Sequence, residues 1–476
     1  MNKLKRLGFS ILLFIVITQL RSQNLWSLQK CVDQARENSI ALKQNKLRIN
    51  RAEITHTQAV HNQYPRLNAT ASYGLNFGRT IDPVTNDFET KSIGNNSLGL
   101  SSGVLLFNGG ALRNTISQSV LDLQSSKLDV DQLSEDLALT VVQYYIAILF
   151  AQDRLDNARI QVQSTTQQLD QIDKLIAAGS KPEGDRLEVL AQQAREEQNI
   201  IVYENNVISN KLNLKQLLRL PIEQEFEIEH PSPNALQPSI LDQNLSGIYK
   251  YALDHRSDIR SGDLKVQSAE LGIKIQKASA VPTISIGGNL NTLYSSLGQR
   301  RADGFTTVSS PVDVVFNGQN AHLDIINKIP NTEKNPYFSQ INGNLGYGFG
   351  LSMSVPIYNN YRAKANVERA ELEVESTKLA NDQTKETLKN NIQTALNDLR
   401  ATANTYEAAK RSTAAQRLAY NNAKTKFDLG SANTFELLTA KNRLDIAITE
   451  ELISRYDYIF RSKVIDYYLG RRITLN

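Results

Sequence analysis

The sequence predicts a mainly α chain with a β-barrel part: long antiparallel coiled-coil-like helices and four membrane strands, arranged as a duplicated helix–strand–strand–helix unit. Three observations predict it. The chain repeats itself over most of its length. Two stretches of nearly seventy residues run without an interior proline or glycine. Four shorter stretches alternate apolar residues with small neutral polar ones.

The repeat is read from two registers. At an offset of 217 residues, Ala35, Leu47, Ala52, Glu53 and Pro65 meet Ala252, Leu264, Ala269, Glu270 and Pro282. At an offset of 251, Gly99, Leu100, Ser101, Val104 and Asn108 meet Gly350, Leu351, Ser352, Val355 and Asn359, and the match runs on to Gly179 and Ser180 against Gly430 and Ser431. Similarity this long marks a duplicated structural unit. The offsets differ by 34 residues, so the second strand pair carries a much larger connection, about 297–340. That polar segment is expected to face outside the cell.

Each half opens with a helix, about 28–62 and 245–278, that runs up to the matched prolines Pro65 and Pro282, where the backbone is steered towards strand. The strands follow at about 66–78 and 97–107, and at about 283–294 and 341–356. Leu67, Ala69, Ala71, Tyr73 and Leu75 oppose Asn68, Thr70, Ser72 and Gly74; Tyr347, Phe349, Leu351 and Met353 oppose Gly346, Gly348, Gly350 and Ser352. A period of two with one apolar and one uncharged polar face describes a strand between lipid and water. Tyr73, Phe77, Phe107, Tyr294, Tyr347 and Tyr358 gather towards strand ends, as interfacial aromatics do. The Gly346–Gly350 run is no phosphate cradle, because its glycines share one strand face and no helix opens after them.

Four strands cannot close a barrel, and unpaired backbone in lipid costs several kcal/mol per group. Other copies must complete the ring. Two copies give eight strands and a filled interior; three give twelve and a wider lumen.

The long helices follow, about 110–177 and 361–428. Leu121, Leu128, Leu137, Val141 and Leu149 mark one apolar stripe; Leu372, Leu379, Leu388, Ile392 and Leu399 mark the other. At 1.5 Å per residue each makes a rod of about 100 Å, longer than a globular domain accommodates. Gly179–Ser180 and Gly430–Ser431 stop them, and antiparallel helices return over about 183–220 and 434–469. Prolines 231, 233 and 238 mark 221–244 as a linker. The domain reading is therefore 1–22, 23–220, 221–244 and 245–476.

Residues 1–22 read as a signal peptide: Lys3, Lys5 and Arg6 precede an apolar run too short to span a bilayer. Without those three residues and Arg21, which leave with the segment, the net charge falls from +4 to 0, which argues against nucleic acid as a partner. No later stretch is expected to be apolar enough for a transmembrane helix. The single cysteine, Cys31, excludes an intrachain disulfide, and Lys30 before it is unsuited to lipid attachment. His56, His61, His230, His255 and His322 are scattered, with no metal pair, nucleophile elbow or phosphate loop. No cofactor, metal or enzymatic activity is expected. The competing reading is an exported structural or adhesive coiled coil without a channel.

Several short stretches carry a family resemblance: residues 26–38, Tyr64–Pro65 before the first strand, Leu106 to Gly110 after the second, Val355 to Tyr358 after the fourth, and the Phe427 to Ser431 turn. In this order on a duplicated chain they resemble the TolC family of outer-membrane efflux proteins over essentially the whole mature length. The resemblance implies a homotrimer with a 12-stranded barrel in outer-membrane lipid and an α-helical tunnel through the periplasm. It implies a periplasmic adaptor and an inner-membrane transporter as partners, and efflux or type I secretion as the activity. It also implies a periplasmic gate. Glu436 falls at the family's first acidic ring position and Thr439 at the second. Asp185 matches an acid that holds the closed state, but its basic and tyrosine partners are replaced by Ala432 and Phe427. Gly179, Ser180, Gly430 and Ser431 are the expected adaptor contacts.

Overall fold

The computed structural model describes residues 25–81, 86–231, 244–471 and 473–475; the expected signal segment and half of the expected linker, 232–243, lie outside them. Two compact units form, and each draws on both halves of the chain. One comprises Thr55–Ser119 and Ala269–Glu373; the other holds the chain up to Ile54, Val120–Ser268 and the residues from Val374 on.

The second unit is helical. It contains α1 (Leu28–Asn38), most of α2 (Ile40–His61), the greater part of α3 (Ala111–Ala177), α4 (Glu183–Leu218), α5 (Leu245–His255), most of α6 (Ser257–Lys277), much of α8 (Arg362–Asp428) and α9 (Thr434–Tyr468). Both α3 and α8 are 67 residues long. The helices expected over 28–62 and 245–278 are each two helices. At the first break the Ser39 N–H donates to Ala35 while its hydroxyl accepts from Leu42 N–H at 3.3 Å, so one serine ends α1 and starts α2. Arg256 marks the equivalent break between α5 and α6.

The core is duplicated as the sequence is. Ala35, Val141, Ile148 and Leu214 are fully buried in one cluster with Trp26, Cys31 and Tyr145. Ala252, Ile392 and Leu399 hold corresponding places in a second, with Ile248, Ile259 and Ile465. Tyr145 secures the first, its hydroxyl donating to the carbonyls of Glu229 at 2.5 Å and Trp26 at 3.1 Å. The expected absence of an apolar helix needs correction: α3 contains a stretch long and apolar enough to cross a membrane. Val141, Val142, Ile148 and Leu149 of that helix are fully buried in the first cluster, which accounts for the composition. The stripe is not buried throughout: Leu379 of α8 stays 61% exposed, and outside the stripe Leu47 and Ile54 of α2 stay exposed as well.

The other unit carries the sheets. β1 (Arg66–Asn76), β4 (Ile93–Phe107), β5 (Thr283–Ser295) and β8 (Gly346–Ser354) form one antiparallel sheet in the order β1-β4-β5-β8, so β1 and β8 are its edges. β2 (Arg79–Ile81) and β3 (Phe88–Thr90) form a small hairpin between β1 and β4. The connection about 297–340 is not a plain polar loop. It is a second hairpin, β6 (Gln299–Phe316) with β7 (Gln319–Lys334), followed by the short helix α7 (Tyr337–Gly343). The fourth strand therefore starts at Gly346, after α7, rather than near 341.

Candidate functional site

Register decides what the sheet presents. Ala69, Leu100, Leu290 and Tyr347 stand side by side across the four strands, as do Val104, Ile286 and Leu351. The alternation of each strand is thus in phase with its neighbours, and one face is mainly apolar, with Asn96, Ser102 and Thr292 as its polar members. Among the described residues α7 covers only one end of it, at Thr292 and Tyr294; Leu67, Tyr73, Leu100, Ile286, Leu290, Phe349 and Leu351 are 40–91% exposed. The opposite face is polar, with Arg66 at the start of β1 as its one charged residue, and closes hydrogen bonds on itself, Ser72 Oγ to Ser97 Oγ at 2.8 Å and Ser285 Oγ to Ser352 Oγ at 2.7 Å. A sheet with a core behind it would bury one face; among the described residues this sheet leaves both faces largely open and its two edges, β1 and β8, unpaired.

In the helical unit, the two turns expected to contact an adaptor are built alike. Gly179 and Gly430 take φ of 73° and 76°, the left-handed region that glycine enters without penalty. Ser180 N–H returns to Leu175 and Ser431 N–H to Lys426, each at 2.8 Å, completing a two-bond helix stop. All four turn residues are exposed, and so are Leu429 and Phe435 beside the second turn. Asn433 starts α9 by accepting Glu436 N–H at 2.8 Å.

The structure brings Asp185 and Phe427 together and leaves Glu436 apart from them. Asp185 accepts the Thr434 hydroxyl at 2.7 Å and lies 3.8 Å from Lys181 Nζ. Lys181 also reaches the Ala432 carbonyl at 3.4 Å and sits 4.6 Å above the centre of the Phe427 ring. Phe427 is buried with Ile172, Val189, Ala432 and Leu437. The basic partner missing after the second turn is thus supplied by the first turn, four residues before Asp185, a substitution sequence reasoning did not find. Glu436 is half exposed and faces Lys426 at 3.8 Å.

A second polar knot, also unforeseen, ties α3, α4 and α9 together. Lys441 Nζ donates to Glu196 Oε1 at 2.6 Å and to Asp445 Oδ2 at 2.9 Å. Glu196 further accepts Thr165 Oγ1 at 2.6 Å and Gln192 Nε2 at 2.7 Å. Lys441 and Glu196 are only 3–4% exposed. Burial alone would lower the pKa of the Lys441 ammonium, but the adjacent Asp445 and the hydrogen bonds to Glu196 and Asp445 outweigh it and raise that pKa above the ordinary lysine value. Asp445 is raised as well: its burial outweighs the pull of Lys441, and Glu196 adds to the effect. Among the described residues no group of His, Cys, Asp and Glu is arranged to hold a metal ion.

The comparisons agree with this geometry. Nodulation protein T of Rhizobium leguminosarum bv. viciae is 23% identical over 342 residues, 72% of this chain and 61% of that protein. The chain therefore spans about three fifths of the length of that curated relative. The solved structure of CusC, described as forming a transmembrane channel, superposes with a TM-score of 0.76 at 17% identity, covering 94% of this chain and 92% of that one. The open-state outer membrane channel MtrE of Neisseria gonorrhoeae superposes at 0.71 and 17% identity, covering 94% and 89%. The profile of the outer membrane efflux protein family matches residues 31–218 and 248–470. With both repeats matched and the fold shared, this chain belongs to the outer membrane efflux protein family.

Proposed function

We propose that the chain is the outer-membrane exit duct of a tripartite efflux or type I secretion system. Three copies would close their sheets into a 12-stranded barrel in outer-membrane lipid, and their helices would line a periplasmic tunnel. The duct would conduct substrates passively from a periplasmic adaptor and an inner-membrane transporter. One observation carries this reading: a sheet whose in-phase, mainly apolar face leaves Leu67, Tyr73, Phe349 and Leu351 68–91% exposed and whose two edges are open. Lipid is the surrounding that favours such a face, and only further strands satisfy such edges. The exposed Leu47, Ile54 and Leu379 give the helices apolar surface for neighbouring copies. The repeats 23–220 and 245–476, joined by 221–244, make each copy contribute two similar wall segments.

In this reading Asp185, with Phe427 behind it, holds the tunnel mouth shut through Thr434 and Lys181. Three copies of Glu436 form a ring that repels itself and draws cations. Gly179, Ser180, Gly430 and Ser431, with Leu429 and Phe435, form the adaptor contact. The test is conductance in a planar bilayer. Wild type is expected to pass small, cation-selective currents, Asp185→Ala currents several times larger, and Glu436→Ala currents of weaker cation preference. Wide-open wild-type currents indifferent to both substitutions would remove the gate; no current from inserted Asp185→Ala protein would remove the duct.

A further inference from the structure

The β6–β7 hairpin has an apolar surface that stays exposed among the described residues. It turns on Asn317 and Gly318, with φ of 51° and 77°, the tight two-residue turn that matches strand twist. Its 16-residue arm spans about 50 Å at 3.3 Å per residue. The register places Thr306 with Ile329, Val308 with Asn327, Ser310 with Ile325, Val312 with Leu323 and Val314 with Ala321 on one face. Val308, Val312, Leu323, Ile325 and Ile329 of that face are 39–55% exposed. The other face carries Asp313, His322, Asp324 and Lys328, with Phe305, Val315 and Ile326 as its isolated apolar residues. A two-stranded ribbon is at best marginally stable alone in water, so an apolar face this long needs a cover.

We propose that the cover is the same face of the hairpin in the other copies of this chain, so that the hairpins pack apolar face to apolar face beyond the barrel. This rests on the oligomeric barrel reading. β4 and β5, 15 and 13 residues long, each suffice to cross the hydrocarbon, which leaves the hairpin beyond lipid and in water. The hairpin joins β5 to β8, and β8 is an open edge that must meet another copy. Closing the ring therefore gathers the hairpins around one axis at high effective concentration. Edge-to-edge association is disfavoured, because Pro311 in β6 and Pro330 in β7 interrupt the donors an added strand would need. The apolar face is what remains for contact.

Single-cysteine cross-linking of the full chain tests the proposal. Native Cys31 gives no background: it is fully buried, and burial pushes its thiol up to about 12. With a short bis-maleimide, Val312→Cys and Leu323→Cys on the apolar face should give at least ~tenfold more chain dimer than Asp324→Cys on the polar face. Native mass is measured on the same preparations. Equal or absent cross-linking in protein that is trimeric overturns the hairpin contact and leaves the duct standing. Monomeric wild-type protein overturns both. Adducts of Val312→Cys with a different protein on whole cells, in place of chain dimers, also overturn it.

Discussion

Lys441→Met is expected to destabilise the helical unit by about 3–5 kcal/mol, because it leaves two carboxylates facing each other without their shared cation. The methionine fills most of the same volume, so little of that loss comes from packing. Glu196 is as buried as Lys441 and keeps Thr165 and Gln192 as donors, but neither is charged. Replacing two of the three ions, as Glu196→Gln with Lys441→Met, should recover part of the loss, since only Asp445 is then left without its cation instead of two carboxylates facing each other. Thermal unfolding of the helical signal in detergent reads both. A pH dependence follows. The pKa of Lys441 is higher folded than unfolded, so its stabilisation is complete below the ordinary lysine value and fades as pH rises through the folded value. That window lies above about 10.5. The knot's lysine should therefore hold across the neutral range, and the alkaline loss of stability should be smaller in Lys441→Met. Asp445 has the same sign at the acid end: its raised pKa favours the fold below the ordinary aspartate value, and that contribution is lost as pH rises through the folded value.

Leu351→Arg should cost about 2–4 kcal/mol of barrel stability, because it places a guanidinium on the lipid face near the middle of β8. Leu351 is 69% exposed and stands opposite Ile286. Ser352→Arg, one residue on, turns to the polar face beside Ser285, where water would solvate it. The first variant should fail to insert into vesicles or lose its compact gel mobility. The second should insert and shift ion preference towards anions. Equal tolerance at both positions would mean that the apolar face does not meet lipid.

The sequence carried the architecture unusually far because duplication wrote each feature twice. The stop at Gly179 is echoed by Gly430, each in the left-handed region after its rod, and the two long helices come out equal in length. The strand faces were readable because small polar residues alternate without a charge. The helix breaks at Ser39 and Arg256 were missed because neither involves proline or glycine; a serine cap is a weaker mark than either. The segment about 297–340 reads only as a polar connection from sequence, because Val315 and Ile326 fall out of phase with its apolar face, although Asn317–Gly318 is a strong turn signal. At the tunnel mouth, Asp185, Phe427 and Glu436 were found by resemblance, but the partners of Asp185 were not. Lys181 lies on the other side of its own turn, and Thr434 is 249 residues away. The Glu196–Lys441 pair, separated by 245 residues, is likewise set by how helices pack rather than by any local spacing.

The measurement that tests the central claim most directly is the native mass of the full-length protein purified from membranes in mild detergent. Three copies per particle, lost together with vesicle insertion when Leu351 is replaced by arginine, is the predicted result. A stable monomer that stays in solution without detergent would contradict the shared barrel, because a lone four-stranded sheet with open edges and a bare apolar face has no place in either water or lipid.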